Sequence, residues 1–205
     1  MLNFKKIRSI ITGKSYIDNS WFSDDSSLML HISDTPSQFY SELSRIIDIV
    51  RPDYIIHTGD LADNIKIELS PSLLTKYRHE SKKLLKILNS SKAKYISISL
   101  GNHDDYDLVY ENKGRINIYR EIGRLDIKDN SFVFSHYHDY LKSIEADVYL
   151  FGHNIKFKNS ITDSGIYLNG IISINIINLD TLEVRCIKYP FGTDSARMKQ
   201  NRIRI

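Results

Sequence analysis

The sequence predicts an α/β sandwich, because short apolar runs of strand length alternate with helical patterns along much of the chain. Five runs are rich in β-branched and aromatic residues, and polar residues follow each of them at once. Two amphipathic helical patterns lie between the early runs. Because strand–helix–strand spacing implies right-handed crossovers, we expect parallel strands near the middle of the sheet and antiparallel strands toward its edges.

Each predicted strand is defined by its apolar run. The five runs cover residues 28–32, 54–57, 95–98, 132–134 and 148–151. Further along the chain, residues 171–179 and 182–189 are separated by two polar residues and predict an antiparallel hairpin. Cys186 follows the apolar alternation of the second hairpin strand, so we expect it on the inward face.

Helices are predicted where apolar residues recur at helical spacing. Residues 39–50 show such a stripe, and Pro52 stands just past its end. Residues 71–88 repeat the pattern, and residues 139–145 could form a shorter helix. The helices therefore fall between the strands, as an α/β fold requires.

The composition indicates one folded domain. Hydrophobic residues make up 41% and charged residues 26% of the 205-residue chain, and the net charge of +3 is modest. No stretch approaches the roughly 18 apolar residues that span a bilayer, and residues 1–12 lack an apolar signal segment, so we expect a cytoplasmic protein without membrane partners. The single cysteine excludes an intrachain disulfide.

We expect residues 27–190 to form the domain, flanked by two extensions. Residues 1–26 are of unknown form and could supply a helix or an edge element. Residues 191–205 form a basic tail that contains Arg197, Lys199, Arg202 and Arg204. Such a cluster can contact phosphate backbones, but a solvated chain end is the preferred interpretation, so nucleic-acid binding is possible but unsupported.

Polar residues with metal-binding chemistry follow the predicted strands. In chain order they are Asp34, Asp60, Asp63, Asn102, His103, Asp104, His136 and His153. In open α/β sheets, functional groups gather beyond the carboxyl ends of the strands, so we expect these side chains to converge on one edge of the sheet. Oxygen and imidazole donors without thiolates suit Zn, Mn, Fe or Ni.

Four of these segments resemble the motifs of calcineurin-like metallophosphoesterases. Residues 59–63 match the family's GDxxD motif, residues 101–104 match GNH[DE], and Gly152-His153 begins its GHxH motif, with Ser135-His136 as the single-histidine strand end between them. The resemblance covers residues 28–190. It implies a four-layer α/β/β/α sandwich with mixed sheets, one or two divalent metal ions, and a phosphoester substrate, either a small molecule or a nucleotide.

The resemblance also implies a role for each matching residue. Asp60 would bridge two metal ions, and Asn102, His136 and His153 would complete the second of the two sites. His103 would protonate the leaving oxygen or contact the phosphoryl group, while Asp63 would orient its ring.

The sequence departs from the family pattern at the first metal site. The family's D-x-H reads Asp34-Thr35-Pro36 here, and its GHxH ends in Ile155, so this site keeps Asp34 and Asp60 but lacks both imidazoles. Water, Asn154, His31 or His138 could partly compensate, and such a depleted site would favour harder ions such as Mn or Mg.

Four further polar residues are interpreted separately. His138 and Asn154 are candidates for substrate contact. His31 and His57 lie inside apolar runs, so we interpret both as buried structural residues.

The function that these motifs favour is hydrolysis of a phosphoester by metal-activated water, as a phosphodiesterase or a phosphatase. The alternative is a weakly active or inactive protein that keeps the fold as a binding or scaffold module. The motifs do not select between monoester and diester substrates, because that choice depends on loops and pocket walls.

Overall fold

Two sheets pack face to face in the computed structural model, which describes residues 4–21 and 26–197. The first sheet consists of β1 (Leu28–Ile32), β2 (Tyr54–His57), β3 (Tyr95–Ser99), β4 (Asn117–Tyr119), β10 (Ile174–Asn178) and β11 (Val184–Ile187). The second consists of β5 (Ile122–Ile127), β6 (Asn130–Ser135), β7 (Val148–Phe151), β8 (Ser160–Thr162) and β9 (Gly165–Asn169).

Both sheets are mixed. The first has the order β11-β10-β1-β2-β3-β4, in which β1 to β4 are parallel and β10 and β11 are antiparallel. The second has the order β5-β6-β7-β9-β8, in which β6, β7 and β9 are parallel and the two edge strands antiparallel. The predicted arrangement of parallel centre and antiparallel edges is confirmed except at β4, an edge strand that is parallel to its neighbour.

The helices are α1 (Phe4–Ile11), α2 (Tyr40–Val50), α3 (Leu74–Ser90), α4 (Tyr106–Glu111) and α5 (Thr193–Arg197). The apolar stripe of α2 is buried, and the helix ends where Arg51 adopts a left-handed φ of 50° before Pro52, which disfavours further helix. A 3-10 turn, Pro71–Leu73, leads into α3. The third predicted helix is only a 3-10 turn, His138–Leu141.

Apolar packing defines the layers. One core lies between the first sheet and helices α2 and α3, and includes Ile55 and Leu84. A second core lies between the sheets and includes Met29 and Phe134. The outer face of the second sheet is covered mainly by the segment that contains Leu141, so the fourth layer consists of a 3-10 turn and loops.

Two expectations about the far end of the chain are wrong. Cys186 is exposed, although Val184 on the same strand packs into the inter-sheet core, because β11 is an edge strand. Arg197 is not on a solvated tail: it ends α5 and is 2% exposed. Lys199, Arg202 and Arg204 lie outside the described residues.

The segment before β1 docks on the domain through polar contacts. Ser15 donates its backbone N–H to Glu42 Oε1 at 2.7 Å, and Arg45 Nη2 donates to the Ser15 carbonyl at 2.8 Å. Neither α1 nor any other helix in the described ranges is both long and apolar enough to cross a membrane.

Candidate metal centre

Strand ends from both sheets form the site. Asp34, Asp60 and Asn102 follow β1, β2 and β3 of the first sheet, while His136 and His153 follow β6 and β7 of the second. The expectation that all of them share one sheet edge is therefore wrong. The site instead lies where the carboxyl ends of two packed sheets meet, because the inter-sheet core holds those ends together.

Four of the predicted residues converge around one ring nitrogen. His136 Nε2 lies 3.2 Å from Asn102 Oδ1, 3.1 Å from His153 Nδ1 and 3.6 Å from Asp60 Oδ2. Ligand atoms of Asp60, His136 and His153 all lie within 4.8 Å of one another. The structure thus brings the whole predicted second site together.

The hydrogen bonds of His136 and Asn102 determine which atoms face the cluster. His136 Nδ1 is 2.7 Å from the Thr58 carbonyl, to which it donates, so Nε2 carries the lone pair. Asn102 Nδ2 donates to Glu68 Oε2 at 2.7 Å, which turns its Oδ1 toward His136. The lone pairs of His136 Nε2 and Asn102 Oδ1 therefore point at one another, an arrangement that a cation would relieve, while His153 Nδ1 beside them donates or accepts according to its tautomer.

A further carboxylate ties the two main loops together. Asp104 accepts the backbone N–H groups of Asp60, Leu61 and Gly101 at 2.8 to 2.9 Å and the Tyr77 hydroxyl at 2.8 Å. Four hydrogen bonds to one carboxylate hold the loop after β2 against the loop after β3. Asp104 is thus a positioning residue for Asp60.

Asp34 performs a similar role between the sheets. Its Oδ2 accepts the Ser33 hydroxyl at 2.6 Å and the backbone N–H of His153 at 3.0 Å. The loop after β1 is therefore linked directly to the loop after β7. This carboxylate is 2% exposed and lines the same cavity as Asp60.

The site opens into a cavity of about 320 Å³, within the usual size range of small-molecule sites. Its walls are formed by three carboxylates, two cations, two histidines and three apolar residues: Asp34, Asp60, Asp63, Lys66, Arg197, His103, His153, Leu69, Ile155 and Ile171. Acidic and cationic groups thus line one concave surface next to the cluster.

His103 lies in the cavity without the partner that was expected. Asp63 pairs instead with Lys66, although carboxylates of Asp60 and Asp63 and a ring nitrogen of His103 lie within 4.8 Å of one another. His103 Nδ1 is buried without a hydrogen bond and is 3.4 Å from Glu68 Oε2. The orientation of His103 by Asp63 therefore stays a prediction.

Burial controls the protonation of these groups. Burial, together with the neighbouring Asp34, raises the pKa of Asp60 well above its ordinary value, and burial with Asp60 raises the pKa of Asp63 to about 8. Burial, reinforced by Lys66, lowers the pKa of His103 to about 4. Lys66 offsets only part of this effect on the carboxylates, and a divalent cation would supply further positive charge.

Two predicted substrate contacts lie away from the cluster. The His138 ring stacks on Phe157 at 4.1 Å between centroids and lines a different cavity. Asn154 Oδ1 accepts the backbone N–H of Lys156 at 3.0 Å, within its own loop. The structure therefore does not bring His138 or Asn154 together with the residues of the metal centre.

The two strand histidines are engaged elsewhere. His31 contacts Thr58 and Asn175 through its two ring nitrogens, and His57 contacts Thr35 and the backbone of Gly59. Burial lowers the pKa of both to about 3, so both are neutral. Neither has a free nitrogen with which to complete the first metal site.

Sequence reasoning named Asp104 without giving it a role, and it missed three residues of the site: Lys66, Glu68 and Arg197. Asp104 is the last letter of a recognised motif, which was a usable signal. Lys66 and Glu68 lie in an irregular turn segment without periodicity, and Arg197 was assigned to the tail, so no local pattern marked them.

The donor set fits a metal ion at one of the two expected positions. Asp60, Asn102, His136 and His153 offer two oxygens and two imidazoles to a single point. The other position lacks two of its family ligands: Pro36 and Ile155 offer none, and a lysine ammonium lies in the cavity with Asp34 and Asp60, although ligand atoms of Asp60, Asp63 and His103 also lie within 4.8 Å of one another. The class of protein that this describes is an α/β domain with candidate metal-binding residues at the strand ends.

Comparison with known proteins places this class in a family. The sequence profile of calcineurin-like phosphoesterases matches residues 28–185, so the chain belongs to that family. No curated protein matches the sequence.

Solved structures share the fold at low sequence identity. An archaeal phosphodiesterase is 18% identical, with a TM-score of 0.56 over 77% of this chain and 97% of its own. Yfce, a phosphoesterase from E. coli, is 13% identical, with a TM-score of 0.51 over 80% of this chain and 99% of its own. A mutant of Vps29 from Entamoeba histolytica is 16% identical, with a TM-score of 0.47 over 80% and 99%.

Proposed function

We propose that this protein is a metal-dependent phosphoester hydrolase whose working metal ion is held by Asp60, Asn102, His136 and His153. The observation that carries the proposal is the convergence of ligand atoms of Asp60, Asn102 and His153 on His136 Nε2 at 3.1 to 3.6 Å. Without a cation there, the facing lone pairs of His136 Nε2 and Asn102 Oδ1 beside a buried carboxylate would be unfavourable.

The ion, when bound, supplies a Lewis acid that polarises the phosphoryl group and acidifies water. The chain itself positions the metal ligands and lines the cavity with apolar side chains that exclude water. Asp104 fixes the backbone of Asp60, and Thr58 fixes the tautomer of His136. Ile155 and Ile171 line the cavity with apolar surface, which strengthens electrostatic contacts with an anionic substrate.

His103 is proposed to contact the phosphoryl group. Its pKa of about 4 keeps the ring neutral near pH 7, so it holds one N–H to donate and no net charge. Of the two roles that the family resemblance allows, a hydrogen-bond donor to a phosphoryl oxygen fits this protonation state better than a general acid does.

Metal removal and replacement tests the proposal. We expect the protein to be inactive after a chelator has removed its metal. Titration with Mn, Ni, Zn or Fe should restore hydrolysis of a chromogenic phosphodiester or phosphomonoester. His153→Ala should lower both bound metal and turnover, about 10-fold or more, because it removes one of four ligands. His103→Ala should lower turnover by about 100-fold and leave the metal content unchanged.

His79→Ala, on the exposed face of α3, is the control and should match the parent protein. Turnover that survives complete metal removal contradicts the proposal. A metal-loaded protein that is inert toward both ester classes would favour the alternative, a binding module that keeps the fold and the ion.

A further inference from the structure

Lys66 lies in the cavity beside the carboxylates that the family pattern assigns to a second cation. It lines the cavity with Asp34, Asp60 and Asp63, and its ammonium pairs with the Asp63 carboxylate. Its side chain is 19% exposed and that of Asp63 is 3% exposed, so the ammonium is held at the cavity wall but still reaches the open space.

The missing imidazoles leave this side of the cavity with fewer metal ligands than the family pattern has, although ligand atoms of Asp60, Asp63 and His103 lie within 4.8 Å of one another. Pro36 stands at the position of the first family histidine, and Ile155, at the position of the second, is itself a wall of the cavity. An apolar side chain at the wall disfavours a hydrated divalent ion there. Lys66 and Ile155 thus give this part of the cavity a cationic, partly apolar wall.

The charges of the cavity balance with one ion and one ammonium. Three carboxylates line it, Asp34, Asp60 and Asp63, each 2% exposed. Among the described residues that line it, Arg197 is the other permanent cation, but it pairs with Asp194 at 2.6 Å. When all three carboxylates are ionised, a single divalent cation and the Lys66 ammonium together balance their charge.

We propose that Lys66 replaces the first metal ion of this site and binds a non-bridging oxygen of the phosphoryl group. An ammonium carries three donors on a flexible stem, so it can keep one contact with Asp63 and direct another to an oxyanion. The inference rests on the proposed function only in that the ligand is a phosphoryl group. It makes Lys66 a substrate-binding residue and the centre a one-metal site.

Phosphate binding tests this without turnover. Calorimetry would measure the binding of inorganic phosphate to the Mn-loaded protein, and elemental analysis of the same samples would measure Mn per chain. We expect one Mn per chain in the parent protein and in Lys66→Met. Phosphate affinity should fall about 10-fold or more in Lys66→Met, because a charge-assisted hydrogen bond is lost.

Two further variants separate charge from folding. Lys66→Arg should keep most of the phosphate affinity because the charge remains, and Lys76→Met, an exposed position on α3, should match the parent protein. Two tightly bound Mn ions in the parent protein would overturn the inference, as would unchanged phosphate affinity in Lys66→Met or a parent protein that binds no phosphate. Lys66-dependent phosphate binding by a protein inert toward esters would support the inference and refute the proposed function.

Discussion

Three site residues have backbone conformations that L-residues with side chains rarely adopt. Asp34, Asp60 and His153 have φ values of 50°, 58° and 63°. Each lies two or three residues after the end of a strand of the packed sheets. The chain turns sharply there and presents the side chain to the cavity. Such conformations cost about 1 to 3 kcal/mol each and persist because the surrounding contacts determine them.

Gly59 shows how closely these loops pack. An added Cβ would lie 2.5 Å from the backbone nitrogen of Gly101 and 2.7 Å from His136 Nδ1. Gly192 has nearly the same φ, +90° against +91°, but nothing lies within 4 Å of a Cβ there. The two glycines therefore form a pair with nearly the same φ and very different surroundings.

We expect Gly192→Ala to lower the free energy of unfolding by about 1 kcal/mol, the cost of the left-handed conformation alone. Gly59→Ala should lower it by about 3 kcal/mol, because the clash with Gly101 and His136 is added. Gly59→Ala should also weaken Mn binding, which Gly192→Ala should not. Urea denaturation and Mn titration of both proteins check this, and equal losses of stability would show that the close packing around Gly59 has no energetic consequence.

At the scale of the element, α5 contributes to the site despite its length of five residues. Arg197 donates through Nη1 to the Asp34 carbonyl at 3.4 Å and through Nη2 to the Ile171 carbonyl, and its Cζ lies 4.4 Å from the centre of the Tyr189 ring. The helix is thereby fastened to the loop that carries Asp34.

We expect Arg197→Met to lower the free energy of unfolding by about 2 to 3 kcal/mol, because it leaves buried carbonyl groups without donors. Arg185→Met is the control, since Arg185 lies on the edge strand β11 with a side chain 43% exposed and a surface ion pair. That change should cost less than about 1 kcal/mol. Thermal or urea unfolding compares them, and an Arg197→Met protein as stable as Arg185→Met would show that α5 does not fasten the loop.

Strands and helices with a clear apolar pattern in the sequence were predictable, and strands without such a pattern were not. Strands β1, β2, β3, β6 and β7 and helices α2 and α3 were read from apolar runs and stripes. Strands β4, β5, β8 and β9 escaped because they are partly exposed and carry mixed polar residues, so local sequence shows little apolar bias.

At the scale of the molecule, motifs identified the site, but its geometry depended on contacts distant in sequence. The resemblance to the family motifs assigned the second metal site residue by residue, and each of those residues follows an apolar strand. The division of those strands between two sheets was not predicted from the strand pattern, because face-to-face packing of sheets produces no local sequence pattern. Lys66 was missed because no local sequence pattern indicates that it lines the same cavity as His153 in the folded chain.

Packing between the sheets thus brings the strand ends together to form the candidate metal centre. His136 and His153 come from the second sheet, and Asp60 and Asn102 from the first, so neither sheet alone contains the ligand set. The inter-sheet core, with Met29 and Phe134 among its members, holds the two sheets together and so keeps their ligands close to one another.

The most direct test is an anomalous-diffraction map of a crystal grown with Mn²⁺. We expect one strong Mn peak per chain, within coordination distance of Asp60, Asn102, His136 and His153, and the Lys66 ammonium in the cavity beside Asp63. No peak among those four residues, or a second peak of equal height between Asp34 and Asp60 with Lys66 displaced, would contradict the account.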